Sequence, residues 1–559
     1  MRLIIIILSF FLLYQTSVYS KVTEKNEFNQ KYLSNYFSAL ISYDNQNNED
    51  ALKFFKASKF LIRTHDNFLR EYVFSLVLDG QVKRAIDQIK ITKNANNSNF
   101  FESNLLLYLD SFAKKNYRQA SKRLKKLENF VDNETYEFVI YKTLEGYNEL
   151  FLNKKIEKPN KNFGKLSLIT NAFQNCYLNS KKTSSYFLNL INSSEGDYSR
   201  YLFFYLANII ENKEYNVAKE ISTTIEPLTS SLLISQSKNW IEDKNFKKFT
   251  KYFSCKNENH LLSEFFFLIS NLFSSQEKFD SSNFYLNLSN YLNPKFYFNL
   301  SLLAENYYLN NNFDLTKKTL EKFNSTDEIY YWHKIKRIAN ILSKQKNEEV
   351  SLKFIEKKFT SIKNPSIKIL YDLANIYKNF KKHEKAVDYY SKVLSKVDNG
   401  SPTYADILYK RGGSYERLGQ HYKSDVDLLQ SLEITPGDPY TMNYLAYSWL
   451  ERNYKIDEAV QMLEDAYSKK ENDPYITDSV GWGYYLIGDY NKAEKYLKRA
   501  VELMPYDPIV HDHYGDVLWQ LNRKIQAKYF WESVLELEDA EEKMKKDILF
   551  KLLNGPNKI

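Results

Sequence analysis

The 559-residue chain is 43% apolar and 26% charged, and its 14 Gly and 11 Pro exclude collagenous and loop-rich β architectures. Its formal net charge of +9 is uneven: residues 401–559 hold 20 Lys and Arg against 27 Asp and Glu, and residues 1–400 hold 58 against 42. Solvated helix faces such as Lys122, Arg123, Lys125 and Lys126 account for the basic part, so nucleic acid is not an expected partner.

Residues 1–20 have the anatomy of a secretory signal peptide. Arg2 supplies a positive start, Leu3 to Tyr14 an apolar stretch, and Val18-Tyr19-Ser20 a small-residue cleavage site before Lys21. The apolar run falls short of the roughly 20 residues that a spanning helix needs. No cysteine follows the site to carry a lipid, and no later stretch is apolar enough to span a bilayer. The expectation is an exported, periplasmic protein with no membrane span after cleavage.

Residues 21–364 read as degenerate helical repeats. Ala39, Ser42, Ala51 and Phe55 recur as Val73, Leu76, Ala85 and Ile89, and Ala120 continues the series. Ser184 and Ala218 keep the same step, as do Ser270, Phe273, Ser282 and Leu286, then Ala304 and Ala339. The stretches 150–165 and 225–260 are the least regular. Cys176 and Cys255 fall in different repeats, so an extended solenoid places them beyond disulfide reach, as two separate core residues. Helical spacing is plain where Leu373, Ile376, Tyr377 and Phe380 form one buried face, and no run alternates as a strand.

Over residues 365–539 the repeat is well formed. Small residues step from Gly412 to Ala446, Gly481 and Gly515, and a second small series runs Ala459, Ala493, Ala527. Tyr484 follows the first small residue, and Pro505 closes its repeat. A period of about 34 with these residue types is the tetratricopeptide pattern of paired helices. Glycine or alanine lets the two helices cross closely, the aromatic fills the gap to the next pair, and proline stops the second helix. The expected fold is therefore all-α, a tetratricopeptide-type α-solenoid wound as a right-handed superhelix of helix-turn-helix repeats. Residues 540–559 read as a capping helix with a polar outer face, followed by a frayed tail.

Nothing in the sequence outlines catalysis, a metal or a cofactor, and the chain is not expected to be an enzyme. His511 and His513 are two apart on a helix and point about 200° away from each other, so they cannot share a ligand. His260, His333 and His383 lack ligand-spaced partners, and Gly412-Gly413 is a packing site rather than a phosphate loop. The chemistry lies instead in a groove. In such a solenoid the second, fifth, ninth, twelfth and thirteenth residues of each first helix face the concave side. This assigns Asn443, Tyr447, Asp478, Trp482, Tyr485, Asp512, Asp516 and Trp519 to one partner-binding wall. Its aspartates exclude an acidic peptide clamp and fit a basic or uncharged segment.

The segments Tyr444 to Glu451, Asp478 to Tyr485 and Asp512 to Trp519 resemble exported bacterial tetratricopeptide proteins. They are similar to the outer-membrane lipoproteins that act as adaptors for a periplasmic carboxyl-terminal processing protease. The likeness is sharpest over residues 400–536. It implies a non-enzymatic scaffold whose partners are envelope proteins: a protease, cell-wall hydrolases or assembly machinery. An alternative within the same fold is an assembly factor for outer-membrane or exopolysaccharide biogenesis. The chain departs from the adaptor family in lacking the lipid-attachment cysteine.

Overall fold

The computed structural model describes residues 30–63, 65, 67–92, 98–156, 161–193 and 198–556; the expected signal peptide lies outside them. Every regular element among the described residues is helical. The chain forms two compact units: residues up to Ser222 with Trp240–Asn324, and Thr223–Asn239 with Ser325–Ile559.

In the first unit the helices are α1 (Gln30–Asp44), α2 (Asn48–Ala57), α3 (Phe68–Leu78), α4 (Val82–Ile91), α5 (Phe101–Ala113), α6 (Tyr117–Leu127), α7 (Tyr136–Asn153), α8 (Lys165–Tyr177), α9 (Thr183–Ile191), α10 (Arg200–Glu211) and α11 (Tyr215–Thr223). After α12 (Leu232–Glu242), along which the chain changes unit, come α13 (Lys247–Tyr252), α14 (Glu258–Ser274), α15 (Phe279–Leu292), α16 (Leu300–Leu309) and α17 (Phe313–Leu320).

The α14–α15 pair lies at the heart of this unit. All residues from Ser282 to Ser289 are buried, so α15 has no solvent face. Its polar side chains are satisfied inside. Asn287 Nδ2 donates to Leu78 O at 3.2 Å, Asn306 Nδ2 to Ser282 Oγ at 2.8 Å, and Ser263 and Ser289 exchange hydroxyl bonds. Phe74 meets Phe284 at 4.7 Å, which ties the first repeats to the later ones. On α14, Glu264 is buried and takes a bidentate bond from Arg200 at 2.8 Å, with Arg200 also donating to Asn299 at 2.6 Å.

That folding-back corrects the reading of the cysteines. Cys176 at the end of α8 and Cys255 before α14 form a buried disulfide with Cα atoms 5.7 Å apart, across 79 residues of sequence. The expectation of two separate thiols assumed an extended solenoid. Here the chain returns on itself, and Tyr177 OH beside the bridge donates to Glu258 at 2.9 Å.

The second unit holds α18 (Glu328–Gln345), α19 (Glu348–Phe359), α20 (Ile367–Asn379), α21 (His383–Leu394), α22 (Pro402–Arg417), α23 (His421–Ile434), α24 (Pro439–Glu451), α25 (Ile456–Lys469), α26 (Pro474–Leu486), α27 (Tyr490–Leu503), α28 (Pro508–Gln520), α29 (Lys524–Glu536) and α30 (Glu542–Asn554). They pair consecutively, and α30 stands alone at the end. Local chemistry sets the frame of each pair. Asp438, Asp473 and Asp507 cap the backbone N–H groups of α24, α26 and α28, and Pro439, Pro474 and Pro508 open those helices. Left-handed residues turn the chain inside the five pairs from α20 to α29: Lys381, Gly419, Asn453 with Lys455, Gly488 and Asn522.

Small residues of the repeat stand where paired helices cross closely. A Cβ on Gly412 would lie 3.0 Å from Leu428, one on Gly481 2.5 Å from Leu497, and one on Gly515 2.4 Å from Trp531. Ala446, Ala459, Ala493 and Ala527 are wholly buried. Tyr484 hydrogen-bonds Glu464 of the preceding pair and stacks on Tyr496, and Pro505 stands two residues beyond α27. At the other end of the unit, Leu228 joins the core of Trp332, Ile335 and Leu373. Lys368 holds this segment by donating to Leu228 O at 2.7 Å. The capping helix needs a correction: α30 buries Ile548, but its outer face is not polar, since Leu549, Phe550 and Leu553 are exposed.

A candidate partner-binding face on the second unit

Helices α24, α26 and α28 are the first members of successive pairs, so the positions assigned to a groove form a ladder across them. The centre is an aromatic stack. Trp482 lies between Tyr485, with ring centroids 4.8 Å apart and planes 14° apart, and His513, at 4.1 Å and 13°. Trp482 Nε1 donates to Glu451 Oε1 at 3.2 Å on α24. His513 in turn donates from Nδ1 to the Asp478 carboxylate at 3.0 Å. Both members of that pair are buried. Burial pushes the imidazole down, but the Asp478 carboxylate, with Asp512 and Asp516 beyond it, more than offsets this and holds His513 above its ordinary value.

The other two aspartates are also engaged internally. Lys551 of α30 donates to Asp512 at 2.6 Å and to both oxygens of Asp516 at 2.8 Å, and Trp531 Nε1 donates to Asp516 at 3.2 Å. Burial, then the Asp512 carboxylate, push Asp516 up to about 6 despite the lysine. Trp519 packs on Trp531, centroids 5.4 Å apart, and Lys524 lies over its ring. The backbone of Gly555 closes over Trp519: a Cβ there would lie 2.6 Å from the indole, and φ is +81°. Only glycine suits that combination of close approach and left-handed backbone.

What stays open is a narrower face than the ladder as a whole. Asn443, Tyr447 and Trp482 are half-buried, and Glu451 is exposed. Burial, then the Glu451 carboxylate, raise the Tyr447 phenol well above its ordinary value. The side-chain oxygen of Asn443 is buried and meets no donor. Sequence reasoning passed over three further residues. Tyr440, Tyr475 and Ile509 follow the opening prolines, occupy the second helical position, and are exposed to 48%, 63% and 49%. The recurrent Asp-Pro-Tyr of residues 438–440 and 473–475 was the signal that could have found them.

No group of three His, Cys, Asp or Glu among the described residues could hold a metal ion. His511 is buried and hydrogen-bonded to Ser533 at 2.6 Å. His260 accepts from the Ser254 N–H at 3.0 Å, and burial, then Lys295, push it down to about 4. No helix among the described residues is long and apolar enough to cross a membrane.

Comparison with known proteins agrees with this architecture. The sequence model of the tetratricopeptide repeat matches residues 367–395 and 481–507. The TPR repeat-containing protein PA4667 of Pseudomonas aeruginosa is 28% identical over 132 residues, which are 23% of this chain and 22% of that protein. Protein bimA of Emericella nidulans is 25% identical over 85 residues, 15% of this chain and 10% of its own length. The chain thus spans less than a quarter of either relative. Among solved structures, a tetratricopeptide protein of Parabacteroides merdae aligns over 46% of this chain and 99% of its own, at 16% identity and a TM-score of 0.38. The thermophilic TPR protein TTC0263 of Thermus thermophilus aligns over 34% and 100%, at 18% and 0.30.

Proposed function

We propose that this tetratricopeptide-repeat protein is an exported scaffold that holds a partner segment along α24, α26 and α28. Stacked helix pairs serve protein–protein contact, and their repeats bring equivalent side chains into a row. The observation that carries the reading is the exposed row Tyr440, Tyr475 and Ile509 beside the half-open Tyr447 and Trp482. Large, rigid apolar side chains in a row supply contact area at low entropic cost. Glu451 supplies the one exposed carboxylate in the centre. Because Asp478, Asp512 and Asp516 are neutralised from within, the favoured partner is largely uncharged rather than strongly basic.

Export rests on the signal-like residues 1–20, and the Cys176–Cys255 disulfide supports it, since such bridges persist in oxidising compartments. Within the envelope the role is recruitment, with a processing protease or cell-wall hydrolases as clients, as the resemblance over residues 400–536 implies.

Affinity capture from the native envelope tests this directly. Full-length chain and the variant Tyr440→Ala, Tyr475→Ala, Ile509→Ala serve as paired baits, with bound proteins identified by mass spectrometry. The exposed positions predict unchanged helicity and loss of the specific clients. Identical captures from both baits would refute the binding face, and recovery of the native protein from the cytoplasmic fraction alone would refute export.

A further inference from the structure

A second surface lies on the opposite helices of the same unit, away from the aromatic row. Tyr422, Val426 and Leu429 fall on one stripe of α23, at spacings of four and three residues, and are exposed to 82%, 46% and 43%. Surface helices normally turn such a stripe inward. The corresponding positions of α25 and α27 are polar: Asp457, Gln461 and Glu464, then Asn491, Lys495 and Lys498. The α29 equivalents Ile525 and Tyr529 are apolar and exposed, so the stripe is shared by α23 and α29 but not by α25 and α27.

The stripe leads down to Leu432, which is the near wall of a cleft of about 690 Å³ between α23 and α25. Pro436, Gly437, Met442 and Met462 form the rest of its apolar lining. Two of the chain's five methionines stand here, and unbranched thioether side chains adapt to varied apolar partners. The far wall is acidic: Asp457, Glu458 and Asp465 line α25. Glu458 is paired with Lys455 at 2.9 Å, whereas Asp457 and Asp465 make no ion pair among the described residues. Lys469 stands at one end, against Gly437.

We infer that this cleft binds an amphipathic helix of a partner protein, with its apolar residues on Leu429, Leu432, Met442 and Met462 and its lysines or arginines on Asp457 and Asp465. Charge complementarity selects this occupant. An apolar floor beside two unpaired carboxylates attracts a segment that is apolar on one side and basic on its flank, and disfavours an acidic one. The site shares no residue with the row at α24, α26 and α28, so the scaffold can hold two partners at once.

The test is a fluorescence-anisotropy titration of the full chain with a labelled amphipathic helical peptide of leucine and lysine. Its glutamate counterpart, with leucines at the same positions, is the comparison. The expected result is saturable binding of the lysine peptide that weakens as salt rises, and no binding of the glutamate peptide. Asp457→Lys with Asp465→Lys, both at exposed positions, should weaken binding by about tenfold or more. Leu429→Ser with Val426→Ser should weaken it independently, while Tyr475→Ala leaves it unchanged. Absence of binding, equal binding of the glutamate peptide, or unaltered affinity in the charge-reversed chain would each overturn the inference.

Discussion

Glycine does opposite work at two helical positions. At Gly515 a methyl group would lie 2.4 Å from the Trp531 indole, so α28 and α29 cross as closely as they do only because no side chain is present. At Gly146, inside α7, the nearest atom would be Gln174 Nε2 at an ordinary 3.8 Å. Helix propensity favours alanine at both sites, and packing decides the sign. Gly515→Ala should destabilise the second unit by about 1–3 kcal/mol through overpacking. Gly146→Ala should stabilise the first unit by about 0.5–1 kcal/mol through chain entropy. Urea midpoints of the two variants, read against the parent, check both directions. The contrast also marks a limit of sequence reading. Gly412, Gly481 and Gly515 announce their role by recurring in register, whereas nothing about Gly146 says whether a neighbour is near.

Between elements, titration couples the pairs. Asp478 on α26 holds His513 on α28, and Lys551 on α30 holds Asp512 and Asp516 on α28. His513 is raised in the folded chain, so its contribution is complete below the unfolded value of about 6.5 and is lost as pH rises through the folded value. Asp516 is also raised, to about 6, so the unfolded chain releases that proton first and stability again falls with rising pH. These two groups favour the folded second unit at the acid end of the range from about pH 4 to pH 8, whereas His333, which burial and then Lys336 push down to about 3, acts in the opposite direction below about pH 6.5. Asp516→Asn should flatten the lower part of the profile and His513→Gln the upper part. Denaturation midpoints of the two variants that follow the parent's pH profile without change would contradict the assigned pairing. The periodicity assigned Asp478, Asp512 and Asp516 to first helices of successive pairs. It could not show that the three aspartates are neutralised, because their partners lie on other elements, 35 to 39 residues away.

At the scale of the molecule, the two units are built from the same kind of helix and organised differently. In the first, the α14–α15 pair is wrapped by earlier helices, and the disulfide joins α8 to the approach to α14. In the second, consecutive pairs stack and their first helices stand in a continuous row. Cys176→Ser with Cys255→Ser should lower the stability of the first unit by about 2–4 kcal/mol and leave the second unchanged, as domain-resolved hydrogen exchange would register. Equal protection in parent and variant would argue against the bridge as a constraint on the unfolded chain.

By itself the sequence determined the helical class, the 34-residue step and the close approach of paired helices at small residues. All of these depend on neighbours within one or two pairs, where spacing along the chain is spacing in space. Tertiary structure alone decided that Cys176 meets Cys255, that α15 is buried on every side, and that Lys551 and Gly555 close over part of the predicted groove. The reason is physical. A local repeat fixes how each pair meets the next, but small rotations add along the chain, and only their sum sets which distant helices touch.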